Sequence, residues 1–409
     1  MAGTGRRRTF PGWRAWVLMA ALAGGAGPGH TVPRVPADDA VIVEKLPAVT
    51  GWSREQRQLR RALVQRPHDQ GVAIRAAQSY LELARAQGDA RYAGYAKGAL
   101  QAWDAVPPTE VPPAVLVMRA TVAQFLHDFD GAEATLKIAL QRQPDHAQAW
   151  ITLATILRVR GRYAESDTAC RSLRSAGAAL HGTACLAENA ALRGDHAAAR
   201  SALAGALADP GSQGPRQAGT RQWLWTSMAE VEELAGRATA ADAAYRQALD
   251  ADRSGYVLLA YSDFLIAQKR AAEVPALLAR EARSDAVLLR LAIAAASALP
   301  RGSTPAGSAR DLNSVDAKEL QARFAASALR PGSTQLHARE EGLFELDVQH
   351  DAPRAVMLAR TNVALQREPI DLLLFARAAV AANDAAARQE VKALMVQIGL
   401  RDARVDAIL

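Results

Sequence analysis

Apolar residues recur along this chain at helical spacing, in short paired runs. Between Ala147 and Val159, the residues Trp150, Leu153, Ala154 and Leu157 share one stripe; beyond Gly161-Arg162 a second stripe runs through Ser166, Cys170 and Leu173. Spacing of three and four predicts two amphipathic helices joined by a tight turn. A hairpin of this kind is apolar along one face and cannot bury it alone, so stacked neighbours must. The same register returns on both sides: His127 stands 34 residues before Gly161, and Gly194 stands 33 after it.

Around His127, Leu116 and Ala120 precede the turn, and Ala132, Leu136 and Ala139 follow it up to a stop at Pro144. Gly194 has Leu186 and Ala187 before it and Ala199, Leu203 and Ala206 after it; Gly236 has Trp225, Met228 and Ala229, then Ala241, Tyr245 and Ala248. Weaker copies centre on Gly88-Asp89, on Lys269 and on His350-Asp351, and helical pairs at 285–329 and 370–398 fit the architecture without the motif. The pattern predicts an all-α chain of about eight hairpins, and no segment asks for a strand.

With Trp or Leu early in the first helix, a small residue at the helix crossing, Gly-Arg or Gly-Asp turns and Ala in the second helix, the chain resembles the tetratricopeptide repeat family, including its exported bacterial members. Four units between about residue 113 and 253 carry the resemblance. It implies a right-handed superhelical solenoid of stacked antiparallel helix pairs, with first helices lining a concave groove. In a solenoid, length sets repeat number rather than domain number. We expect an array over 53–299, capped by a helix from Ser53 to Gln65, and degenerate repeats over 314–409. The Gly/Pro/Ser-rich stretches 209–220 and 300–313 are insertions, the second also a candidate boundary.

Composition fits: half of the residues are hydrophobic while only 5% are aromatic, which suits close packing of Ala-rich helices. The N-terminus bears on the compartment. Arg6, Arg7, Arg8 and Arg14 precede a short apolar run, Ala15 to Ala23, and Ala21-Leu22-Ala23 offers a small-residue cleavage site. This reads as a signal peptide over 1–26, the run being shorter than the roughly 20 residues of a membrane span. A Pro-rich linker then covers 27–52, and no integral membrane segment is expected after leader cleavage. Of the formal charge of +7, four positive charges belong to the leader. The mild remainder gives no ground for a nucleic-acid partner.

Two cysteines are present. Cys170 falls on the second helix of one hairpin and Cys185 on the first helix of the next, with the turn at Ser175 to Ala179 midway, so both stand at the same height. In an oxidising compartment the pair can close a disulfide; otherwise it supplies two small buried thiols. Neither is placed as a nucleophile. His337-Ala338-Arg339-Glu340-Glu341 approaches a metalloprotease helix, but Glu341 stands where the second histidine ligand belongs, which reads as a solvated helix face. No phosphate loop, G-x-S-x-G or Cys-x-x-Cys occurs, so neither catalytic residues nor a metal or cofactor is expected.

Recognition remains. The resemblance places groove positions at the second, fifth, ninth, twelfth and thirteenth residues of each unit. The second positions are Ala114, Gln148, His181 and Trp223. Expected groove residues are Val117, Thr121 and Phe125, then Ile151, Thr155 and Arg158, then Glu188, and finally Trp223, Glu230 and Glu233. The groove is thus apolar in its first half and acidic with an aromatic in its second, unlike units that clamp chaperone carboxylates with Lys, Arg and Asn. Trp223 is either a binding anchor or a ring packed against 209–220. We expect an exported, periplasmic, non-enzymatic scaffold that binds a protein or peptide partner in this groove. The alternative is an accessory subunit of an envelope or polysaccharide export complex that docks through its outer surface.

Overall fold

The computed structural model describes residues 53–87, 91–298, 315–329 and 336–409. The expected leader and linker, the turn at Gly88-Asp89 and the stretch 300–313 lie outside the described residues. Among the described residues the chain is all helix, and its helices pack in consecutive antiparallel pairs. A lone helix, α1 (Arg54–Gln65), comes first, with Ser53 and Gln56 closing a capping box at its start.

Hairpins follow: α2 (Gln70–Gln87) with α3 (Arg91–Gly98), α4 (Pro113–Phe125) with α5 (Phe129–Arg142), and α6 (Ala147–Val159) with α7 (Tyr163–Ser175). Next are α8 (Ala179–Leu192) with α9 (His196–Ala208), α10 (Ala218–Leu234) with α11 (Ala238–Ala251), and α12 (Gly255–Ala267) with the short α13 (Val274–Leu278). The later elements are α14 (Asp285–Ser297) with α15 (Val315–Ala328), and α16 (Ala338–Phe344, continued by a π-helical turn Glu345–Gln349) with α17 (Ala352–Leu365). Last come α18 (Pro369–Ala381) with α19 (Ala385–Ile398), and a terminal turn of helix, α20 (Ala403–Asp406).

One turn geometry explains the register read from the sequence. His127, Gly161, Gly194, Gly236, Lys269 and His350 all take positive φ, between 60° and 92°, and Asn383 at the α18/α19 turn takes 52°. The next amide bonds back to the end of the first helix, as Arg162 N does to Leu157 O at 2.8 Å and Asp195 N to Ala190 O at 2.9 Å. This is a left-handed C-cap that reverses the chain. At six of the seven turns the next residue serves in one of two ways, while Arg237 pairs with Glu232 on the first helix of its own hairpin at 2.5 Å. Asp128, Asp195, Asp351 and Asp384 accept an amide of their own second helix. Arg162 and Arg270 instead reach back to Glu133 and Asp242 on the preceding hairpin, at 2.6 and 2.7 Å.

Cys170 and Cys185 form a disulfide across α7 and α8, with Cα atoms 5.7 Å apart. Gly182 permits the close approach, since a Cβ there would stand 2.8 Å from the Cys170 carbonyl. On the loop-entropy account a crosslink spanning 15 residues stabilises by about 3 kcal/mol. The insertion 209–220 folds as two 3₁₀ turns, Pro210–Ser212 and Pro215–Gln217, leading into α10.

Instead of leaving the groove's edge open, the last hairpins return to it. Arg367 N donates to Val159 O at 2.7 Å and Arg401 N to Leu192 O at 2.8 Å, which satisfies terminal carbonyls of α6 and α8. Ile398, Arg401 and Ala403 lie against the turn glycines Gly161, Gly194 and Gly236 in that order. One continuous core results, from Tyr163 to Val405. The sequence HAREE is also not a solvated face: Glu341 is buried, and Arg339 pairs with the fully buried Asp371.

Candidate functional site: the inner groove

Local chemistry within the fold uses several of the expected groove positions. Val117 is buried. Thr121 and Thr155 each donate to the carbonyl one helical turn back, Val117 O and Ile151 O, both at 2.9 Å. Phe125 lies under the Arg85 guanidinium, 5.6 Å from the ring centre, and Ile151 is half-buried. The first half of the groove presents no charged network of its own.

Over the second half, Arg158, Glu188, Glu230 and Glu233 join one network. Arg158 is ion-paired with Glu188, whose other oxygen accepts the Ser227 hydroxyl at 2.5 Å. Glu230 accepts the Tyr256 hydroxyl at 2.6 Å, and Glu233 accepts Tyr245 at 2.5 Å and Arg404 at 2.7 Å. Trp223 stacks on His181, ring centres 5.5 Å apart and planes 14° from parallel.

Tyr256 and Asp263 belong to the same surface although the expected groove set did not include them. They stand 33 residues after Trp223 and Glu230, so extending the register by one unit finds both. No local signal points to Glu368, which the fold-back brings within electrostatic reach of Arg158, Tyr163 and Tyr256.

Enclosure by protein acts on these carboxylates. Burial pushes Glu230 up to about 7; the Glu188 and Glu233 carboxylates push the same way, against the Tyr256 hydrogen bond and Arg158. Burial also raises Glu233, with Arg404 opposing it. Tyr256 is held well above the usual tyrosine range, first by the Glu230 charge and then by burial. Yet Tyr256 is 64% exposed. Water therefore reaches this interior, and charges in it are partly screened.

A pH dependence follows. The folded state favours protonated Glu230, so its stabilising contribution is complete below 4.5 and is lost as pH rises through 7. Glu230→Gln keeps an acceptor for Tyr256 without that loss. We expect it to stabilise the chain by about 1–2 kcal/mol at pH 8, after discounting for water, and to have little effect near pH 5. Thermal melts at the two pH values check this, and a destabilised variant at pH 8 refutes it.

Among the described residues, no group of three or more His, Cys, Asp or Glu is placed to hold a metal ion, and no helix is long and apolar enough to cross a membrane.

No family model matches the sequence, and neither does any curated protein. Among solved structures, PilW, a type IV pilus biogenesis factor, is 18% identical with a TM-score of 0.38, over 52% of this chain and 92% of that one. The pilF protein of Pseudomonas aeruginosa is 14% identical with a TM-score of 0.35, over 66% and 100%. A tetratricopeptide repeat protein from Parabacteroides merdae is 14% identical with a TM-score of 0.36, over 65% and 98%. The resemblance is to tetratricopeptide repeat proteins. At TM-scores of 0.35 to 0.38, the description of the fold rests on the chain's own helices and turns.

Proposed function

We propose that this protein is an exported, periplasmic scaffold that binds a protein or peptide partner in its concave groove and carries out no catalysis. The observation that carries the reading is the aromatic edge at the second position of three successive units: His181, Trp223 and Tyr256. Tyr256 is 64% exposed while its hydroxyl is tied to Glu230 at 2.6 Å. A large ring held in one orientation before binding loses little entropy on contact, as interface anchors require. Export is supported by the basic and apolar start of the chain and by the disulfide, which an oxidising compartment maintains.

Replacing Tyr256 with a photo-crosslinking phenylalanine in the exporting cell tests the groove. Met357, 56% exposed on the second helix of its hairpin, is the comparison position. Adducts from position 256 and none from 357 are expected. The reverse pattern overturns groove binding and favours docking through the outer surface. A reporter fused to the chain that is active only in the cytoplasm overturns export.

A further inference from the structure

Three groove carboxylates recur at the ninth position of successive units: Glu188 on α8, Glu230 on α10 and Asp263 on α12. The outer two are neutralised within the fold. Glu188 pairs with Arg158, and Asp263 takes a two-point hydrogen bond from Arg290, Nε to Oδ1 at 2.9 Å and Nη2 to Oδ2 at 2.6 Å. Glu230 has no ion pair among the described residues; its partner is the Tyr256 phenol.

The surroundings of that middle carboxylate suit a cation. Tyr256 presents an exposed ring beside it, and one unit back the half-buried Trp223, stacked on His181, continues the aromatic edge. Aromatic faces attract ammonium and guanidinium groups, and the long stems of Lys and Arg pack on them. A further polar group in the same interior lacks a partner. Tyr163 is 3% exposed, its hydroxyl makes no hydrogen bond, and it lies in the field of Arg158 and Glu368. Buried hydroxyls are normally satisfied, and this one is sealed within the core in the electrostatic reach of Arg158.

We infer that Glu230, with the exposed Tyr256 ring beside it, receives an arginine or lysine side chain from an extended segment of the bound protein. This deepens the groove reading and rests on it. The partner is thus a peptide segment with a basic residue among apolar ones: the base meets Glu230, and apolar neighbours lie along Phe125 and Ile151. The groups facing Glu230 are Tyr256 from α12, Glu188 from α8, Arg158 from α6 and Glu233 from its own helix. Arg158 neutralises Glu188 and Arg404 neutralises Glu233, which leaves Glu230 the carboxylate of this stretch without an ion pair among the described residues.

The test uses the full chain and two labelled dodecapeptides of alanine and leucine, one with two central arginines and the other with glutamines in their place. Fluorescence anisotropy at pH 8 is expected to show the arginine peptide binding at least about tenfold more tightly, a modest share of what a close interfacial charge pair supplies. Glu230→Gln should abolish that preference without lowering the melting temperature. A preference that survives Glu230→Gln overturns the inference. Equal binding of both peptides, with crosslinking still at position 256, overturns the cation and leaves the groove reading standing. Binding of neither peptide, with crosslinks only at position 357, overturns both.

Discussion

Replacing Arg339 with alanine is expected to destabilise the chain by about 3–5 kcal/mol, the range for a buried ion pair stripped of one partner. Arg339 Nε donates to Asp371 Oδ1 at 2.6 Å and its Nη2 to Oδ2 at 3.0 Å, and the same guanidinium reaches Glu368 at 2.6 Å. Asp371 is fully buried, and its other donors are Asn362 Nδ2 at 2.6 Å and the Glu368 amide at 2.7 Å. These remain in the variant, but no cation does.

Burial raises Asp371 from 3.8 to about 6 even with Arg339 opposing it. Folding therefore favours the protonated carboxyl, and stability is lost as pH rises through that value; without Arg339 the value rises further. The deficit should accordingly be small near pH 5 and full at pH 8, and Asp371→Asn in the same chain should recover most of it. Denaturant midpoints at the two pH values decide the matter. A deficit below about 1 kcal/mol, or one independent of pH, would mean that this pair is not what ties α16 to α18.

Local turn chemistry was the most legible part of the fold. His127, Lys269 and His350 are poor matches to a glycine motif, yet spacing put them in register with Gly161, and all three adopt the same left-handed turn. The cysteines were legible for a similar reason, since equal distance from one turn puts two residues at one height. The aromatic and acidic rungs were legible in part: Trp223 and Glu230 came from the register, and Tyr256 and Asp263 lay one unit further along it.

Periodicity tells which face of a helix is apolar, not which distant helix covers it. Arg401 caps α8 from more than two hundred residues away, and Arg404 meets Glu233 across 171 residues, with nothing local to announce either contact. Helices α18 and α19 match no repeat motif, yet Phe375 is among the largest fully buried side chains. The segment HAREE shows the converse. A run of charges resembles a solvated face until the partner is known: Arg339 turns inward because α18 brings Asp371, and Glu341 is buried within electrostatic reach of Arg354, whose ion pair is with Glu345.

Among the described residues, Arg404–Glu233 is the ion pair that ties the chain end to the groove, so Arg404→Ala is expected to open it. Arg404 spans two carboxylates: Nη1 reaches Glu233 at 2.7 Å, and Nη2 reaches Asp402 at 2.7 Å. The Asp402 side chain is fully buried and that of Glu233 is 12% exposed. Removing the guanidinium leaves both near one another with no cation between them, and we expect a loss of about 3–5 kcal/mol. Lysine should restore less than half of it, because a single ammonium cannot address two carboxylates with a planar fork.

Hydrogen exchange separates a local loss from an opening of the closure. In Arg404→Ala the amide of Arg401, bonded to Leu192 O, should exchange faster together with the amides of Val405 and Asp406, while α4 and α5 keep their protection. Neutralising the leftover charge with Glu233→Gln should slow that exchange again. Unchanged protection over 399–409 alongside a lowered melting temperature would exclude the arginine as the tie. Burial of Leu400 and Val405, each contributing about 1.5–3 kcal/mol, would then hold the closure by itself.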